Sequence, residues 1–230
     1  MPVVFSVRGR SDPIIIGVGA HGSDWDQEGS GTTPQSVTLT TQEGGGSLIV
    51  VTLGNIFNYF APTDNKGNPL SLLRSSGYHG GLWPGYEMKV YGCANFAGGS
   101  SHSVQFTKTD GLQEGTLIVV EALRGARIQD HSIITRAAAG DGVAYASGTV
   151  TATGPALLVS AWSGDGASLS SQQANPEAGW LSIESLDLGP AAYIQANCAV
   201  KYVPAAGTYS LNWAPVKSQG AIIFLAALQA

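Results

Sequence analysis

Charge is scarce in this chain: only 12% of its 230 residues are Asp, Glu, Lys or Arg, and the 11 basic side chains form no Lys/Arg-rich run. That excludes a general grip on nucleic acid, which needs clustered cations against the phosphates. The net charge of −5 argues equally against an anionic membrane surface. Long apolar runs are also missing. The longest, "AIIFLAAL" at 221–228, falls far short of the roughly 20 residues a spanning helix needs. The opening "MPVVFSVRGRSDPIII" is interrupted by Arg8, Arg10 and Asp12, which a secretory apolar segment does not tolerate, so the expectation is a protein made in a cytoplasm without a signal peptide. Cysteine is limited to Cys93 and Cys198. They form neither a CxxC nor a Cys/His cluster at zinc spacing and read as buried thiols, with a disulfide between them left open.

What the chain has in quantity is glycine, 31 residues, with Ser and Thr throughout. Its apolar runs are strand-length, β-branched and fenced by turn residues: "PIIIGVG", "SVTLTT", "GSLIVVTLGN", "EMKVYGCANF", "HSVQFTKT", "GTLIVVEAL", "ALLVSAW", "AYIQANCAVKYV", "TYSLNW" and "GAIIFLAAL" among them. About a dozen such runs predict an all-β chain, a β-sandwich or jelly roll. In "SVQFTK" Val104 and Phe106 fall on one face; in "TYSLNW" Tyr209, Leu211 and Trp213 do. The runs "LIVV" and "IIFLAAL" are apolar on both faces, as expected of central strands covered on each side or of strands buried in an oligomer. Helix is limited to single turns at "LSLLRSS" (70–76) and "PEAGWL". The Gly- and Pro-rich stretch "FNYFAPTDNKGNPLSLLRSSGYHGGLWPG" reads as a surface loop.

A repeat emerges when the halves are aligned. Residues 46–123 read "GSLIVV", Trp83 and Glu87, Cys93-Ala94, an alternating strand, then "GTLIVVEAL"; residues 155–228 read "PALLVS", Trp180 and Glu184, Cys198-Ala199, an alternating strand, then "GAIIFLAAL". The matched cysteines stand 105 positions apart. Internal duplication is the expectation, with Trp83 and Trp180 as core anchors. With no linker between the halves, residues 1–230 read as one domain with an extended segment over about 1–16; the alternative is two similar units, 1–125 and 126–230.

Catalytic constellations are lacking. His21, His79, His102 and His131 are dispersed, and no GxSxG elbow, P-loop or HExxH occurs. "GVGAHG" at 17–22 has dinucleotide-like glycine spacing but no helix pattern after it. His102 is expected on the solvated face of its strand. Glu87 and Glu184 form the one matched acid pair, yet glycoside hydrolysis needs two carboxyls across one cleft, and repeat-related positions have no reason to share one. The reading is no enzyme, no catalytic residue and no cofactor.

Binding is the other possibility. "DWDQEGSGTTPQ" offers Asp24, Asp26, Glu28 and Gly29 at the spacing with which an EF-hand calcium loop begins, but the twelfth position, which needs a bidentate acid, is Gln35. Asp24, Asp26 and Glu28 therefore stand as metal candidates only for a looser site, and the stretch reads as an acidic turn. Trp25, between the aspartates, joins Tyr59, Phe60, Tyr78 and His79 as candidates for contact with a partner or a glycan, since aromatic rings stack on sugar faces.

Together the start without a signal, the low charge, the Gly/Ser/Thr content, the strands "GSLIVV" and "GTYSLNW" and the closing "GAIIFLAALQA" resemble the β-sandwich accessory proteins of tailed bacteriophage virions, the head decoration and tail- or fibre-associated proteins. The resemblance implies a structural virion protein assembled in the host cytoplasm. It would partner copies of itself and other capsid or tail proteins, with no nucleic acid or membrane bound. A lectin-like module reading a cell-surface glycan is the alternative. In either setting, "PVVF" and "PIIIGVG" could add a strand to a neighbour's sheet edge.

Overall fold

The computed structural model describes residues 3–7, 14–26, 34–44, 46–55, 61–76, 86–108, 115–123, 125–165, 174–186, 194–215 and 217–230. The chain is all-β. In order its strands are β1 (Val3–Val7), β2 (Ile14–Asp26), β3 (Gln35–Thr41), β4 (Ser47–Asn55), β5 (Thr63–Asp64), β6 (Ser71–Ser75), β7 (Tyr86–Ala94), β8 (Gly99–Phe106) and β9 (Gly115–Ala122). There follow β10 (Arg127–Arg136), β11 (Tyr145–Ala146), β12 (Val150–Ala152), β13 (Ala156–Asp165), β14 (Ala174–Pro176), β15 (Leu181–Leu186), β16 (Ile194–Val203), β17 (Gly207–Tyr209), β18 (Asn212–Pro215) and β19 (Gly220–Gln229).

Two large antiparallel sheets lie at the centre, ordered β1-β2-β9-β4-β7-β6 and β10-β19-β13-β16-β15. Their facing sides share one core, in which Ile49, Val51, Met88, Ile118 and Val120 meet Leu157, Val159, Cys198, Ile222 and Phe224. The outer side of the first sheet is covered by β3-β8-β5 through Val37, Phe96, Val104 and Phe106. The outer side of the second is covered by β11-β18-β14 and β12-β17, through Leu211 and Trp213 on one and Val150 and Ala152 on the other. The result is a sandwich whose inner sheets are buried on both faces. This is why "LIVV" and "IIFLAAL" carry no polar face: β9 and β19 are central strands buried at every position.

Apart from β1, the two large sheets are strung alike. β2-β9-β4-β7-β6 corresponds strand for strand to β10-β19-β13-β16-β15, and the small strands β3, β5 and β8 are inserted where β11 or β12, β14, and β17 or β18 recur. The residue matches expected from sequence do not follow this correspondence. Glu87 lies on β7, whereas Glu184 lies on β15, the counterpart of β6. Cys93 faces the outer layer of its sheet and Cys198 faces the shared core, so the two cysteines do not occupy equivalent positions. Both are buried free thiols, and burial pushes the Cys198 thiol far above its ordinary range.

Other expectations are also corrected. "LSLLRSS" contains a strand, β6, because pairing with β7 supplies hydrogen bonds that an isolated turn would lack. "PEAGWL" has no helical turn: Trp180 N–H reaches Glu177 O at 3.3 Å across a turn in which Gly179 takes a φ of 89°. The presumed surface loop contains β5 and β6. Trp180 is only half-buried on the outer layer, with the Lys201 ammonium 5.9 Å from its ring centre, and Trp83 lies outside the described residues. The "PVVF" segment pairs with its own β2, Val3 opposite Val18 through Val7 opposite Ile14.

Candidate functional site

The polar chemistry between the two large sheets gathers where β2 approaches β15. Two β-bulges create it. On β2, three steps from Val18 to His21 oppose two on β9, from Ala122 to Val120. The extra residue reverses the alternation, so His21 and Ser23, rather than Gly22 and Asp24, point toward the second sheet. On β15 a bulge between Ser182 and Glu184 turns Glu184 to the face shared with its partner Cys198. The re-aimed groups meet: His21 Nδ1 lies 2.6 Å from Glu184 Oε1, and Ser23 Oγ donates to Glu184 Oε2 at 2.5 Å. His21 and Glu184 are both mostly covered, with 25% and 16% of their side chains exposed.

Glu121 holds the first bulge from the other side. It is buried, its Oε2 accepts Ala20 N–H and its Oε1 accepts Gln42 N–H, each at 2.7 Å. Gly19 is required there, since a Cβ would lie 2.2 Å from Glu121 Oε2. Beside this carboxylate opens a cleft of about 470 Å³, lined by Gly19, Ala20, His21, Thr40, Gln42 and Leu123 among others.

An equivalent seam closes the opposite edge with the charge reversed. Bulges again precede His131 on β10 and Arg74 on β6, and Arg74 Nη2 donates to His131 O at 3.4 Å. Burial first and the Arg74 charge second hold His131 below the usual imidazole range, and its Nδ1 is buried with no hydrogen-bond partner among the described residues.

His102 is not on a solvated face. It is buried between Asp64 Oδ2, 3.1 Å from Nε2, and Thr41 Oγ1, 3.0 Å from Nδ1, with the Phe96 ring centre 5.7 Å away. It shares the inward face of β8 with Val104 and Phe106. Burial pushes the Asp64 carboxyl up, but hydrogen bonds from Asn68, His102 and Lys66 N–H outweigh it and hold it below its ordinary value.

Neither constellation has the geometry of a nucleophile and its base. Ser23 and His21 bind the two oxygens of one carboxylate, so the imidazole serves the acid and not the hydroxyl. Thr41, His102 and Asp64 do stand in a row, but the His102 and Asp64 side chains are sealed, at 1% and 0% exposure, and Thr41 Oγ1 already accepts Gly99 N–H.

The residues singled out from sequence are distributed as follows. Asp24 and Asp26 end strand β2, not a turn. Asp24 Oδ1 and Oδ2 accept Trp25 N–H and Ser36 N–H, and Asp26 Oδ2 pairs with the buried Lys108 ammonium at 2.7 Å. Among the described residues no three His, Cys, Asp or Glu side chains are grouped to hold a metal ion. Trp25 is 36% exposed on β2. Glu28, Tyr59, Phe60, Tyr78 and His79 lie outside the described residues. Glu87 pairs with Lys89 at 3.3 Å. Sequence reasoning missed Glu121, Glu184 and His21 as a cluster, because bulges leave no mark in the hydrophobic alternation. In comparisons with known proteins, no family model, curated protein or solved structure matches the chain.

Proposed function

We propose that the chain is a non-catalytic structural protein of a tailed-phage virion, a capsid decoration or tail-associated component acting through contacts with copies of itself and with other virion proteins. One observation carries the reading: four of its carboxylates are spent on the backbone. Asp24, Asp64, Glu121 and Asp130 each accept two backbone N–H groups, and three of them tie one strand to another strand or its end. A charge committed to amides stiffens a scaffold and is lost to proton transfer. The low charge leaves a polar, neutral surface of the sort that wet protein interfaces use. We read the matched strand order as a jelly roll duplicated and stacked face to face, which suits a plate-like building block. Mass spectrometry of purified particles tests the role: stoichiometric copies are expected, and absence from the particle overturns it.

Trp25 favours a second reading, a glycan-binding module, because it offers a partly exposed ring on the strand that also borders the cleft. Binding on a glycan array that disappears in Trp25→Ala would establish it over the first.

A further inference from the structure

Among the described residues each of the five sheets has two edges, and nine of the ten are guarded. Edges formed by β6, β10 and β15 are interrupted by bulges, and that of β3 gives its Ser36 N–H to Asp24 Oδ2. Those formed by β5, β11, β12, β14 and β17 are three residues long or less. Short length and bulges are the means by which proteins keep unpaired backbone from recruiting another strand. Where β2 runs on past β1 its unpaired stretch begins at a bulge and carries Asp24 and Asp26.

The exception is β1. Its five residues, Val3-Val4-Phe5-Ser6-Val7, pair with β2 in unbroken register. They include no charge, proline or glycine, and β1 has no counterpart in the second large sheet.

From this we infer that the outer edge of β1 is an interaction surface for a second copy of the chain, two β1 strands pairing antiparallel about a twofold axis at Phe5. The inference rests on the proposed assembly role and names the contact that serves it. The segment is self-complementary about that axis: Val3 opposes Val7, Val4 opposes Ser6 and Phe5 opposes Phe5, all residues that tolerate or favour strands, with no like charges brought together. Such a contact joins two six-stranded sheets into one continuous sheet and closes as an isologous dimer.

Sedimentation velocity on the full chain, from micromolar to near-millimolar concentration, tests it. The wild type is expected at the mass of two chains. The double variant Val4→Lys/Ser6→Lys should halve that mass, leave the circular dichroism spectrum unchanged and make Tm independent of protein concentration. Ser182→Lys/Ser185→Lys on the β15 edge should leave the dimer intact. As an independent reading, Phe5→Cys should cross-link between chains on mild oxidation, because Cys93 and Cys198 are buried. A monomeric wild type, or a dimer indifferent to the β1 lysines and without a Phe5→Cys cross-link, overturns the proposal. A monomer still found in stoichiometric copies on particles removes this contact alone and leaves the assembly role standing.

Discussion

His21 and His131 occupy the same step of the two large sheets and meet opposite charges. Each is the first residue after a bulge to face the shared core side, His21 opposite Val120 and His131 opposite Ala226. Across the seam, at matched bulges, stand Glu184 opposite Cys198 and Arg74 opposite Val90. The same framework therefore closes one edge with an imidazole–carboxylate hydrogen bond at 2.6 Å and the other with a guanidinium bound to a carbonyl at 3.4 Å. The first contact is the shorter and the better covered of the two.

That difference is measurable as stability. Glu184→Gln leaves either His21 or Ser23 facing an amide donor, and should cost about 1–2 kcal/mol. Arg74→Gln loses a long bond to an exposed group and should change stability by about 0.5 kcal/mol or less. Urea titrations with unchanged m values read both. Equal losses at the two seams would remove the asymmetry.

His131 gives the weaker seam a pH dependence. Its folded pKa lies below the ordinary imidazole value, so the unfolded chain binds the extra proton first. The contribution is therefore intact above about pH 6.5 and is lost as pH falls through the lowered folded value. His131→Leu abolishes that loss and removes a buried nitrogen without a partner. It should gain about 1 kcal/mol at neutral pH and more near pH 5. A gain over the wild type no larger near pH 5 than at neutral pH would contradict this.

The contrast also shows what the sequence could carry. Strand-length β-branched runs announced an all-β chain, and two-faced apolar runs announced covered central strands, because burial and alternation are local. The polar seams were illegible, because each depends on a bulge that shifts the face of every later residue. His21 and Glu184 stand 163 positions apart, and no spacing links them. His102 was misplaced for a different reason: flanked by Ser101 and Ser103 it reads as polar surface, yet it shares the two-residue period of Val104 and Phe106 and is buried with them. Ser101 has a φ of 51°, an irregularity that alternation does not reveal.

Glu121 makes the first bulge dependent on one glycine. Gly19→Ala forces a Cβ into the carboxylate and should cost about 1–3 kcal/mol, as overpacking does. Glu121→Gln substitutes a donor at one of two oxygens that each accept an amide and should cost a similar amount. The combination Gly19→Ala/Glu121→Ala should cost less than the sum, since the truncation makes room for the methyl group. Full additivity in a double-mutant cycle would show that the two do not share the bulge.

Asp64 gives the fold an acid sensitivity of its own. The Asp64 carboxyl is held below its ordinary value by its hydrogen bonds, so its contribution is complete above about pH 4 and is lost as pH falls through the lower folded value. Asp64→Ala strands His102 Nε2, the Asn68 amide and two backbone N–H groups, and should cost about 3 kcal/mol or more. Thr41→Val deprives His102 Nδ1 and Gly99 N–H of a partner and should cost about 1–3 kcal/mol. Of the two, only Asp64→Ala should also flatten the decline of stability between about pH 4 and 2, because it removes the titrating group. Denaturation midpoints across that range decide it: a Thr41→Val decline as shallow as that of Asp64→Ala would move the acid sensitivity to another carboxylate.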